Sequence, residues 1–190
     1  MSHRRLRLAS KLPMLGLWIA CGALAHCIQL DDPASGGVPK SWGTAERIHD
    51  EGTDPDVAAG SGRDVVATWS QFDGVWSSRY TSTNGWGTAV LIRAWPAELG
   101  PTTVVMDGGG NALAVWSMFY ASSNIYADES NTRGQWGSSR CIDDNSGEAF
   151  DPRLAVSVDG RAVAVWVQSD GTRDDIWSNR YTRADGWSFA

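Results

Sequence analysis

A chain of 190 residues, 42% hydrophobic and 20% charged, is sized for one ordinary domain and has too much apolar content to be mainly disordered. Eleven Trp, 21 Gly and only two Lys, Lys11 and Lys40, argue against a Lys/Glu-rich helical protein and point to sheet. The net charge of −6 comes without a Lys/Arg cluster beyond the N-terminus, so nucleic acid is excluded as a partner.

In chain order, the first feature is an export signal over residues 1–26. Arg4, Arg5, Arg7 and Lys11 precede an apolar run from Leu12 to Leu24, with small residues at Ala23 and Ala25. That run is shorter than the roughly 20 residues of a membrane-spanning helix, and no other long apolar stretch follows. Leu24-Ala25-His26-Cys27 resembles a bacterial lipoprotein signal, with Cys27 as the lipidated residue and Cys21, after Trp18-Ile19-Ala20, as the alternative. Residues 27–41, rich in Pro, Gly and Ser from Asp31 onward, read as a flexible tether. The expected location is therefore extracytoplasmic, either secreted or held at the cell envelope, with membrane contact only through the lipid. Leader removal takes four basic residues and no acid, which leaves a net charge of about −10. Cleavage before Cys27 leaves Cys141 alone beside a lipidated cysteine, whereas cleavage after Ala25 leaves Cys27 and Cys141 as a pair that export allows to form a disulfide.

Residues 42–190 repeat. Trp42, Trp86, Trp136 and Trp187 are spaced 44, 50 and 51 residues apart, and each is followed by Gly or Ser. Trp69, Trp116 and Trp166 lie 14, 15 and 14 residues after Pro55, Pro101 and Pro152, and Trp76, Tyr126 and Trp177 form a third series. Each unit reads as four short strands. In the third, residues 153–158 and 161–167 flank the turn Asp159-Gly160, residues 176–182 alternate, and Ala184-Asp185-Gly186 turns into Trp187. Second strands apolar at consecutive positions, Ala112 to Trp116 and Val163 to Val167, call for burial on both faces, while the third strands alternate. Radially stacked four-stranded antiparallel sheets meet both demands, so the expected fold is all-β, with β-propeller-type blades at about 42–92, 93–142 and 143–190. An ordinary β-sandwich is the competing architecture. Three blades and a spare N-terminal fourth-type strand, Trp42 to Ile48, make an incomplete ring. Either further C-terminal blades are missing or copies assemble head to tail into a homo-oligomer.

Acids gather in the loops expected on one rim. Asp143, Asp144 and Glu148 follow the second unit's last strand, and Asp170, Asp174 and Asp175 join second and third strands of the third unit. A carboxylate-lined rim suits Ca²⁺ or sugar hydroxyls, although residues 143–148 lack the spacing of an EF-hand loop; no other cofactor is expected. Trp95, the one Trp past the leader outside the three series, lies in the same rim and offers a stacking face. No nucleophile motif, phosphate loop or Cys-x-x-Cys metal spacing is present, so no catalytic residue is assigned.

Asp151-Pro152, Asp159-Gly160, Ala164-Val165-Trp166, Asp170-Gly171 and Ile176-Trp177 resemble the divergent propeller repeats of exported bacterial proteins and, more distantly, sialidase-type repeats. Against the sialidase Asp-box, Ser169-Asp170-Gly171-Thr172 is compressed and Trp177 is displaced. The reading is an exported, lipid-anchored binding module whose rim loops recognise a carbohydrate or a protein surface. Its alternative, implied by the resemblance, is a degenerate or partial sialidase-like glycoside hydrolase.

Overall fold

The computed structural model describes residues 43–96, 98–143 and 147–188. The expected leader and tether, Cys21, Cys27, Trp42 and Asp144 lie outside the described residues. The described elements are all strands, in three antiparallel sheets. Blade 1 is β1 (Thr53–Ala59), β2 (Val65–Gln71), β3 (Gly74–Thr81), β4 (Gly85–Trp86) and β5 (Val90–Ala94), with β4 and β5 both on β3. Blade 2 is β6 (Leu99–Met106), β7 (Ala112–Phe119), β8 (Ser123–Ser130) and β9 (Arg140–Cys141). Blade 3 is β10 (Ala149–Val156), β11 (Ala162–Ser169), β12 (Asp174–Thr182) and β13 (Gly186–Trp187). Each blade is a meander in which strands adjacent in sequence pair in space, except that β5 returns to β3 beside β4. The three blades do not close a ring.

The Trp series acquires a physical meaning in the register. Trp69 stands opposite Trp76, Trp116 opposite Tyr126, and Trp166 opposite Trp177, so each second-strand indole has an aromatic cross-strand partner. The prolines also recur for a reason. Each first strand carries a register shift across its proline, between Thr53 and Asp56, Leu99 and Thr102, and Phe150 and Arg153. Proline has no N–H for a ladder, so it is accommodated at a bulge on the edge strand of its sheet.

Blade 2 packs between the other two. Ala112, Ala114, Trp116 and Met118 of β7 meet Val66 and Val75 of blade 1, while Leu113 and Val115 of the same strand meet Ala162, Ala164 and Trp166 of blade 3. Side chains alternate across a strand, so one strand in the middle sheet supplies two cores. Two-sided burial therefore holds for β7. It fails for β11, where Val163 and Val165 are 42% and 37% exposed, because blade 3 packs on blade 2 with only one of its faces.

Two more expectations need correction. Residues 43–49 form no strand, because an isolated segment without a third strand beside it has no ladder to join. The continuous fourth strands expected over 86–92 and 136–142 are broken: β4 and β5 are separate, and Trp136 makes only an isolated bridge to Ser130 before β9.

A polar residue two places after each third-strand aromatic holds these short outer strands. Ser78 Oγ donates to the Gly87 carbonyl at 2.9 Å, Asp128 Oδ1 accepts from the Gly137 N–H at 3.1 Å, and Asn179 Nδ2 donates to the Ser188 carbonyl at 3.0 Å. Burial pushes the Asp128 carboxyl above its ordinary value, against the N–H groups of Glu129 and Gly137 and the Ser139 hydroxyl, which favour the anion.

Replacing Trp116, which is fully buried, with Ala should cost about 3–5 kcal/mol in a denaturant melt. A second expected outcome concerns pH. A carboxyl whose folded pKa is raised binds more protons in the folded chain, so its contribution to stability is present at low pH and lost as pH rises through the folded pKa. Asp128→Asn, which installs the residue found at position 179, should gain stability relative to the parent as pH is raised from about 3 to about 7.

Candidate functional site

In a meander, loops joining second to third strands and loops leading from one blade to the next fall on one rim. Their sequences end the alternation in turn-forming residues, Phe72-Asp73-Gly74 in blade 1 and Tyr120-Ala121-Ser122 in blade 2. Gly74 has a φ of 155°, and a Cβ there would collide with the Arg93 carbonyl, so the backbones of β3 and β5 approach closely at the mouth of this loop.

Between blades 1 and 2 this rim opens into a cleft of about 510 Å³. Glu51, Gln71, Phe72, Pro96 and Glu98 are among its lining residues. Phe72 is 85% exposed, so the hydrophobic cost of a bare aromatic is maintained at the mouth of the cleft. The Gln71 Oε1 atom is buried without a donor among the described residues. Trp95 stands beside Pro96 and meets the ring of Tyr120, also 85% exposed, edge-on at 5.8 Å and 74°. The Trp95 backbone N–H donates to the Asp73 carbonyl at 2.8 Å, which ties the two loops together, and its indole packs against the core between the blades. Trp95 thus reaches the rim that the sequence assigned to it, with one face given to the core.

The acids predicted alongside it have other occupations. Asp143 is buried, with Oδ2 accepting the Ile125 N–H at 3.1 Å and Oδ1 accepting from the Cys141 thiol. The Glu148 carboxylate accepts the Ser123 N–H at 2.7 Å and so joins blade 2 to the approach of blade 3. Both carboxylates satisfy backbone donors at strand ends, a structural use. Asp170 folds its own turn, taking the Thr172 hydroxyl and the N–H groups of Thr172 and Arg173; those bonds, the hydroxyl's first, hold its carboxyl below the ordinary range. Asp175 pairs with Arg173 at 3.0 Å, and Asp174 is exposed. Among the described residues, no three His, Cys, Asp or Glu side chains gather as metal ligands.

Sequence reasoning missed Phe72, Gln71 and Tyr120. The available signal was an aromatic next to turn residues at a loop tip, where alternation has ended and no core position is left to fill.

No protein-family model and no curated protein matches the chain. Among solved structures it is similar to the Hadza microbial sialidase Hz136, with a TM-score of 0.50 and 12% identity over 70% of this chain and 36% of that one. The likeness is one of fold, a sialidase-like β-propeller architecture, and this chain spans about a third of the sialidase's length.

Asp143→Ala should cost about 1–3 kcal/mol by stranding the buried Ile125 N–H, whereas Asp174→Ala should stay within about 0.5 kcal/mol of the parent in the same denaturant titration.

Proposed function

We propose that the chain is an exported, lipid-anchored propeller-type module that binds a carbohydrate in the cleft between blades 1 and 2. One observation carries the reading: an exposed aromatic, a carboxamide and two carboxylates line one cleft. Sugars present apolar C–H faces ringed by hydroxyl donors. Phe72 supplies stacking surface, with Trp95 of the Trp95–Tyr120 pair next to Pro96 along the chain, and Gln71, Glu51 and Glu98 supply polar lining. Binding of this kind rests on shape and hydrogen bonds and makes or breaks no bond. The basic start, apolar run and Cys27, with Cys21 as the alternative anchor, support export and lipidation.

A second reading, a partial sialidase-like glycoside hydrolase, has support from the likeness of fold and from Glu51 and Glu98 lining the same cleft, since glycoside hydrolysis uses a pair of carboxyl groups. A fluorogenic sialoside and glycoside panel separates the two, because turnover abolished by Glu98→Gln belongs to the enzyme alone.

Glycan-array binding should fall at least about tenfold in Phe72→Ala, a loss of about 1.4 kcal/mol, with thermal melting unchanged because the ring is exposed. Retained glycan binding in this variant, or binding only to protein probes, would contradict a carbohydrate cleft.

A further inference from the structure

The seams on the two sides of blade 2 begin alike and end differently. Glu98 leads into β6 and Glu148 into β10, and each backbone carbonyl accepts the N–H of the last residue of the neighbouring second strand, Phe119 at 3.1 Å and Ser169 at 2.9 Å. The two side chains then part. Glu148 reaches back to the preceding blade, where its carboxylate accepts the Ser123 N–H at 2.7 Å. The Glu98 carboxylate has no hydrogen bond or ion pair among the described residues, and it lines the cleft between blades 1 and 2.

The cause is the length of the turn that faces each acid. In blade 2, Met118 meets Asn124 with residues 119–123 between them, and Ser123 belongs to that stretch. In blade 1, Gln71 meets Gly74 with only Phe72 and Asp73 between them. The shorter turn supplies no residue in the place of Ser123, so the charge of Glu98 stays unspent at the cleft wall. Glu51 lines the same cleft, and its carboxylate is likewise without a partner among the described residues. The bases nearest to it in sequence are occupied: Arg47 pairs with Asp50 at 2.9 Å, and the His49 ring lies against Trp69 and Trp76 at 5.2 and 5.5 Å. No Lys, Arg or His is among the described residues that line the cleft. Two like charges without a counter-ion, set among Phe72, Pro96 and Leu99, focus a negative potential into the opening.

We infer that the cleft selects a saccharide carrying a free amino group and rejects carboxylated sugars, an inference that rests on the carbohydrate reading of this cleft. The ammonium of a deacetylated hexosamine brings three N–H donors and one positive charge to Glu51 and Glu98, and charge-assisted hydrogen bonds of this kind are about twice as strong as neutral ones. Its charge also relieves the repulsion between the two carboxylates. Phe72, exposed at the mouth, adds a ring face that attracts the ammonium and receives the C–H face of the sugar. Acetylation of the amine removes the charge. A sugar carboxylate adds a third negative charge with no base to meet it, which discriminates by repulsion.

The test titrates the full chain with three probes by calorimetry: a glucosamine tetramer below the pKa of its amines, the N-acetylated tetramer, and a galacturonate tetramer. The amino form should bind at least about tenfold tighter than the acetylated form, a difference of about 1.4 kcal/mol, and the galacturonate form should bind weakest. The preference should shrink as salt is raised from about 0.01 M to about 1 M, over which the Debye length falls from about 30 Å to about 3 Å. Glu98→Gln, whose carboxylate has no bond within the chain to lose, should remove most of the preference with unchanged melting. Glu148→Gln, at the counterpart that holds the Ser123 N–H, should leave the preference in place. Equal affinity for the amino and acetylated forms, tighter binding of galacturonate, or a preference that survives Glu98→Gln would overturn the inference and leave the carbohydrate reading standing. An oligolysine that binds as tightly as the amino tetramer would overturn its saccharide part, and no binding of any saccharide would take down both.

Discussion

The packing of second strands against one another is the contact on which the structure depends. A small residue, a gap of one, a second small residue and then an indole recur as Ala112, Ala114 and Trp116 and as Ala162, Ala164 and Trp166, all facing the preceding sheet. The alanines let the sheets approach, and the indole fills the wider space toward the outer strands. The indoles are fully or almost fully buried, with Trp116 at 0% exposure and Trp166 at 3%. An aromatic of this size contributes the largest single apolar burial available to a strand, which is why one residue per blade can organise the interface. Because β7 serves two interfaces at once, blade 2 is the element without which neither neighbour has a core.

That packing leaves the two rims with different tasks. On one rim the first-to-second strand turns interlock. The Ser61 hydroxyl donates to the Gly108 carbonyl at 3.0 Å, and the Gly108 N–H donates to the Val158 carbonyl at 3.1 Å. Gly108 admits this approach because a Cβ there would meet Val158. Asp107 closes its own turn on Gly109 and Asn111 and reaches Arg183 of blade 3. Burial raises its carboxyl, but the Asn111, Arg183 and Gly109 contacts outweigh that and hold it below the ordinary range. The opposite rim carries the cleft lined by Phe72, and the Trp95–Tyr120 pair stands on the same rim. Interlocked turns on one side and exposed aromatics on the other suit a division between scaffold and binding surface.

The repeat was legible because duplicated blades use the same side chain for the same job. Pro55, Pro101 and Pro152 mark bulges, and Trp69, Trp116 and Trp166 mark the interface. What escaped was contact between units. Val163 to Val167 has the composition of a strand buried twice, and composition is silent on how many neighbours a blade has. Asp143 and Glu148 have the look of ligand residues, yet their hydrogen bonds to Ile125 and Ser123 arise from tertiary placement across 18 and 25 residues of sequence. Phe72 and Tyr120 were hidden for the opposite reason: Phe119 and Ser169 match Phe72, and Asp73 and Asp170 match Tyr120, so neither place is aromatic in all three blades, and a search for recurrence passes over such residues.

Native-state hydrogen exchange resolved to single amides tests the central claim most directly. If stacked sheets are held by their second strands, the amides of β7 should be the slowest to exchange, those of β11 faster because one face is open, and the outer strands β9 and β13 fastest. Protection of β11 equal to that of β7, or a β7 that exchanges with the loops, would contradict the account.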